Sequence, residues 1–283
     1  MNAKLVKSVT HFLELIRSDT KRWSHENFCS PWFRGQDDHQ KPPLPSILRS
    51  DLHDREFSMT TSFRLKAPAF GRVPPADRLD QWLFLMQHVG LPTRLLDWTE
   101  SPLVALYFAL ERYFFSQPAD IETSPGIWCL DPLALNHLTD PTLAYFPNTW
   151  AQGVVLENFK IPFGTAGKDL QSERAKNGEA RYFYYEPTEY PVAIQPSSVH
   201  ARIASQRSCF TIHGNDISDF EALAKERKDF GKGLVKYKVP KHLVVPLARE
   251  LFDYGLGPST VFPDLDGLAK EFKLRAHLEL RAI

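Results

Sequence analysis

Gln87-His88-Val89-Gly90-Leu91-Pro92-Thr93-Arg94-Leu95-Leu96-Asp97-Trp98-Thr99 sets Gln, His, Arg, Asp and Thr among Leu, Val and Trp. On its N-terminal side, Leu79, Trp82, Leu83 and Met86 repeat at helical spacing from Asp77 to His88, and Gly90 stands where a C-terminal cap belongs. On its C-terminal side, Ser101-Pro102 starts a helix, with Ser as N-cap and Pro at the first helical position. That helix runs to about Phe115 on a stripe of Leu103, Leu106, Tyr107, Leu110 and Phe114, widened by Ala105, Phe108 and Ala109, which marks it as central. A charge among apolar neighbours is costly unless it is paired or bound.

Two further stretches share this character: Trp32-Phe33-Arg34-Gly35-Gln36 and Arg202-Ile203-Ala204-Ser205-Gln206. Three such clusters suggest one shared polar site. Arg34 lies in an aromatic, strand-like run beside Gly35, which admits close backbone approach, and Gln36. Its fork suits a phosphate or a ribose-bearing ligand, or a structural pair with Asp97. His88 closes a helix and serves either as a cap or as a cleft residue. Asp97 is a catalytic acid or base, or the partner of Arg94 or Arg34. Thr93, Arg94 and Thr99 belong to the same polar set. Ser101 caps its helix and, if the helix N-terminus faces an anion, also meets the ligand. Arg202 and Gln206 align at helical spacing, or share a strand face with Ala204. A buried Gln206 also satisfies backbone groups.

Composition bounds the rest. The 283 residues are 43% hydrophobic and 12% aromatic, enough for a real core. Lys+Arg and Asp+Glu are both 34, which argues against broad electrostatic binding of nucleic acid or anionic membrane and leaves room for a local basic cleft. Cys29, Cys129 and Cys209 are far apart with no CxxC, as expected of reduced thiols in a cytoplasmic protein. An amphipathic helix at about 3–18 lacks a signal peptide's apolar run, and no stretch approaches the roughly 20 apolar residues of a membrane span. No HxxxH, HExxH, GxSxG, Walker loop or GxGxxG occurs, so no metal site is expected. Short β-rich runs at Gly126–Leu130, Pro191–Gln195, Phe210–His213 and Leu234–Val239 lie between early and late helices, and Gly164–Glu179 reads as a polar loop. A single α+β domain over 1–283 follows.

The chain resembles FRG-domain proteins, a family named for the tripeptide seen here as Phe33-Arg34-Gly35. The matching pieces are Trp32–Gln36, Pro45-Ser46 with Arg49, Gln87–Ala109, Arg202–Gly214 and Thr260–Ala269, with a variable insertion at about 115–185 left uncovered. A weaker likeness is to the ADP-ribosyltransferases, in three ordered motifs. Phe33-Arg34-Gly35 is similar to their aromatic-Arg-Gly strand. Asp97 to Ser101, with Ala105 and Phe108, resembles their Ser/Thr-rich strand and helix. Arg202 to Phe210 resembles the strand bearing the catalytic Glu, with Gln206 near that position.

This likeness implies two small β-sheets around a cleft with flanking helices, and NAD as a substrate whose ADP-ribose passes to an unknown acceptor (protein, nucleic acid or small molecule). It implies Arg34 at the diphosphate or nicotinamide-side ribose, and Thr99 or Ser101 supporting Arg34 or the ribose. Gln206 would meet the ribose or acceptor, and Asp97 would hold an arginine or stabilise developing charge. Gly35, Gln36, His88, Thr93, Arg94 and Arg202 would line the cleft. A toxin or antiviral effector is the setting such an enzyme suggests. Gln206 departs from the family's Glu, which keeps a non-catalytic nucleotide sensor open. A phosphoester or glycosidic hydrolase using His88 and Asp97 is the third reading.

Overall fold

The computed structural model of the chain describes residues 1–23, 30–76, 78–116, 118–139, 190–196, 201–214 and 218–279. In chain order the elements are β1 (Lys4–Leu5), α1 (Val9–Asp19), β2 (Trp32–Gln36), α2 (Ser46–Arg49), α3 (Glu56–Lys66), α4 (Leu79–His88), β3 (Leu95–Thr99), α5 (Pro102–Leu110), β4 (Gly126–Leu130) and α6 (Pro132–Thr139). They continue with β5 (Val192–Ile194), α7 (Ala201–Ser205), β6 (Ser208–Ile212), α8 (Phe220–Glu226), α9 (Lys228–Lys232), β7 (Leu234–Lys238), α10 (Val244–Asp253), α11 (Pro258–Val261) and α12 (Leu265–Glu279). The fold is α+β, built on a seven-stranded mixed sheet in the order β1-β7-β4-β2-β3-β6-β5.

Alternation along the strands divides the core between the sheet's two faces. Phe33, Ile127, Cys129 and Tyr237 pack with α1, α5 and α10. Trp32, Trp128, Leu130 and Leu234 face the other way, with Phe220 and Leu223 of α8 and Phe230 of α9. In β3 the neighbours Leu95 and Leu96 part company: Leu95 joins Leu83, Phe84 and Met86 of α4, while Leu96 joins the Trp32 cluster.

The sheet is one body, where two small sheets were expected, yet it is pinched in the middle. β2 runs beside β4 over five register pairs, and β3 beside β6 over five, but β2 and β3 share only Phe33↔Thr99. Past that pair the Asp97 carbonyl accepts a side-chain hydrogen bond, from Arg34 Nη1 at 2.7 Å. The guanidinium fills a place in the ladder that a backbone amide would otherwise take.

Three other stretches take definite form. The N-terminal helix begins at Val9, because the Ser8 side chain accepts from the His11 amide and fixes the start there; Lys4 and Leu5 instead pair in parallel with β7. The span expected as an insertion contains β4, a central strand between β7 and β2. Its remainder, including Gly164–Glu179, lies largely outside the described residues. Of the two arrangements open for Arg202–Gln206, the short helix α7 takes Arg202 to Ser205, and Gln206 lies in the turn that follows, where Arg207 takes φ 47°.

Gly35 explains how α5 reaches β2. A Cβ there would lie 1.8 Å from the Ala105 carbonyl oxygen and 2.6 Å from the Ala109 nitrogen. Both are backbone atoms of a buried helix, so neither can yield, and the small side chains of Ala105 and Ala109 let the helix sit directly on the strand. Gly35→Ala is expected to cost about 3 kcal/mol or more in urea unfolding. Gly90→Ala, at φ 84° with open space around it, should cost about 1 kcal/mol. Equal losses at the two positions would contradict this account of Gly35.

Candidate functional site

The pinch between β2 and β3 opens into a cavity of about 840 Å³, within the range of small-molecule and cofactor sites. Arg34, Gly35 and Gln36 reach it from β2, Asp97 and Thr99 from β3, His88 from the end of α4, and Arg202 and Gln206 from the α7 segment. Thr93, Arg94 and Ser101 do not line it.

Arg34 is the least satisfied member. Its side chain keeps 16% of its surface, and its nearest carboxylate contact is Asp97 Oδ2 at 3.9 Å from Nη1, too long for a hydrogen bond. Nη1 bonds the Asp97 carbonyl, while Nε is buried without a partner. Burial pulls the guanidinium's pKa down, the Asp97 charge opposes this, and the nearby Arg49 adds to it. Gln36 Oε1 and Tyr107 Oη, also of lining residues, are likewise buried without a partner among the described residues.

Asp97 stands out in β3: its side chain is 55% exposed while the other four residues of the strand are buried. A short relay holds its carboxylate. Thr93 Oγ1 donates to Gln87 Oε1 at 2.6 Å, so the Gln87 amide nitrogen points the other way and donates to Asp97 Oδ2 at 2.9 Å. Thr93 is thus one hydrogen bond behind Gln87, which lines the cavity, and two from Asp97.

Arg94 has a structural post. Its Nε and Nη2 donate to Glu56 at 2.8 and 2.5 Å, and Nη1 to the His213 and Gly214 carbonyls at 2.9 and 3.2 Å. It ties α3 and the end of β6 to β3, with its donors committed away from the cavity. Ser101 Oγ accepts from the Val104 amide at 3.3 Å as the cap of α5. Thr99 Oγ1 donates to the Gln206 carbonyl at 2.5 Å and accepts from the Ser101 amide at 3.0 Å, joining three segments at one corner.

The Gln206 amide donates to the Val261 carbonyl at 3.2 Å, and its Oε1 faces Ser208 Oγ at 3.5 Å. Arg202 is held by Asp264, with Nε and Nη2 at 2.8 and 2.5 Å, and lies over the Phe262 ring. Phe33, Phe84, Phe108, Phe210 and Phe262 supply apolar wall. Phe33, Phe84 and Phe210 belong to the core clusters as well, and nothing in the sequence marked any of the five as wall. Gln87 and Arg49 were on view, Gln87 inside the densest polar cluster.

The cavity's charge differs from the chain's balance. Arg34, Lys41, Arg49, Arg112, Arg202 and Lys270 line it, against the carboxylates Asp37, Asp97 and Glu111. Lys41 and Arg112 both pair with Asp37 at 2.9 Å, and Lys270 with Glu111 at 3.5 Å. Among the described residues, no group of three His, Cys, Asp or Glu could hold a metal ion, and no helix is long and apolar enough to cross a membrane.

His213 sits fully buried at the end of β6. Trp98 Nε1 donates to Thr211 Oγ1 at 3.0 Å, leaving the hydroxyl proton for His213 Nε2 at 3.2 Å. Burial, with the Arg94 and Arg34 charges beside it, pushes His213 down to about 3. The unfolded chain takes up this proton near pH 6.5, so stability is intact above that pH and is lost as pH falls toward 3. The expected loss at pH 5 is about 2 kcal/mol. Urea unfolding of the wild type and His213→Asn at pH 7.5 and pH 5 reads it: the gap between them should shift by about that amount, and a gap independent of pH contradicts a buried neutral imidazole.

No curated protein and no solved structure matches the chain. Residues 30–117 match the family model of the FRG domain, a stretch that includes β2 with Arg34, Arg49, the Gln87–Asp97 relay and α5. The protein carries an FRG domain, whose name-giving Phe33, Arg34 and Gly35 supply a core ring, the cavity's buried cation and the seat of α5.

Proposed function

We propose that this protein is an ADP-ribosyltransferase-like enzyme that cleaves NAD and transfers ADP-ribose to an acceptor. The observation that carries the reading is convergence. Arg34, Asp97 and Gln206 come from segments far apart in the chain and line one cavity of nucleotide size. The pinched sheet, with four strands on one side of the β2–β3 contact and three on the other, is in keeping with the cleft between sheets that such a fold uses.

Cleavage breaks the bond between the ribose C1′ and the nicotinamide nitrogen. The electron pair leaves with nicotinamide, which departs neutral, and positive charge grows on the ribose. A lone pair of the acceptor forms the new bond to C1′, and the acceptor's proton passes to Asp97 or water. A carboxylate about 4 Å from a full positive charge is worth roughly 4 kcal/mol at an effective dielectric of about 20, close to a thousandfold in rate. Asp97, exposed to the cavity and oriented by Gln87, is the residue placed to supply it. Gln206, with one Nε2–H on the Val261 carbonyl, has its second N–H for a ribose hydroxyl.

One observation favours a second reading, a nucleotide sensor without turnover. The position where a transferase would carry Glu is Gln206, and its amide is engaged by the Val261 carbonyl. Incubation with NAD separates the two. The transferase releases nicotinamide, Arg34→Ala abolishes the release, Asp97→Asn lowers kcat about a thousandfold, and Gln206→Glu keeps or raises it. Saturable NAD binding with no release selects the sensor. Release indifferent to Asp97→Asn removes Asp97 from the chemistry.

A further inference from the structure

Arg49 closes α2, is exposed, and lines the same cavity as Arg34. It is close enough to Arg34 to depress the pKa of that guanidinium. Every other cation lining the cavity has a carboxylate beside it, Arg34 less closely than the rest; Arg49 has none among the described residues. Like charges brought together without a counter-ion lose free energy. Arg34 compounds the deficit, since one of its five N–H donors has a hydrogen-bond partner among the described residues and Nε is buried with none.

We infer that Arg34 and Arg49 together form an oxyanion subsite whose ligand is a diphosphate group. Both arginines line one cavity, Arg34 from β2 and Arg49 from the end of α2. Against them stands the single charge of Asp97, which is already bonded to Gln87. A carboxylate brings one charge to two guanidinium ions. A diphosphate carries two linked phosphoryl groups and at least two negative charges, so it can bridge both forks at once. The inference deepens the nucleotide reading above by assigning the ligand's phosphates to a residue pair, and it rests on that reading only for the rest of the nucleotide. Arg49 becomes a binding residue, acting on affinity rather than on bond cleavage.

Calorimetric titration of the full chain with inorganic pyrophosphate, and separately with inorganic phosphate, tests the assignment. Arg49→Gln is the informative variant, because Arg49 holds no hydrogen bond or ion pair among the described residues and its loss leaves the fold intact, checked by circular dichroism. The expected result is saturable pyrophosphate binding, at least tenfold weaker in Arg49→Gln and at least tenfold weaker for phosphate than for pyrophosphate. Absence of pyrophosphate binding, binding unchanged by Arg49→Gln, or equal binding of the two anions overturns the subsite. Arg49-dependent pyrophosphate binding in a protein that releases no nicotinamide supports the subsite and sinks the transferase reading. Nicotinamide release with a KM for NAD unaffected by Arg49→Gln overturns the subsite and leaves the transferase reading standing.

Discussion

A buried guanidinium at the point where two strands part is the constraint around which this molecule is arranged. Arg34 projects from β2 where the ladder to β3 stops, and its Nη1 takes the carbonyl of Asp97. One hydrogen bond and one distant carboxylate do not offset the desolvation of such an ion, which is of the order of several kcal/mol. Under the proposed function, the surroundings hold this group ready for a ligand. The flanking residues do the holding: Phe33 anchors one face of β2 in the core, and Gly35 lets α5 seat against the strand.

The rest of the site is fastened from behind. Arg94 is saturated by Glu56 and two carbonyls, so β3 cannot drift from α3 or from β6. Thr93 and Gln87 orient Asp97, and Thr99 fixes the corner where β3, α5 and the α7 turn meet. Polar residues that do not touch the cavity thus set the geometry of those that do, as preorganised sites require. The cavity lining has more cations than carboxylates, in a chain whose charges balance overall, and so carries a positive local field.

Much of this was legible in the residues. Ser101-Pro102 announces a helix start through chemistry local to two positions, and it is found there. The β-rich runs read at 126–130, 191–195, 210–213 and 234–239 carry their own propensity, and strands form at 126–130, 192–194, 208–212 and 234–238. Other features depend on partners that a linear reading does not pair. Arg94 and Arg34 look alike in sequence, each a charge among apolar residues; only Glu56, thirty-eight positions upstream, separates a satisfied ion from an unsatisfied one. β1 is two residues long and exists because β7 offers an edge. β4 gave a clear strand signal, but its central place comes from pairing with β2 and β7, neither adjacent to it in the chain. Phe33, Phe84 and Phe210 serve core and cavity wall at once, a double role that residue type alone does not reveal.

The central claim is that Arg34 serves a ligand and not the fold. Equilibrium urea unfolding of Arg34→Met without ligand measures this directly, since methionine keeps much of the chain's reach and drops the charge. The account predicts stability within about 1 kcal/mol of the wild type, because the ion removed was poorly compensated. A loss of about 3 kcal/mol or more, the cost of breaking a well-made buried pair, would contradict it.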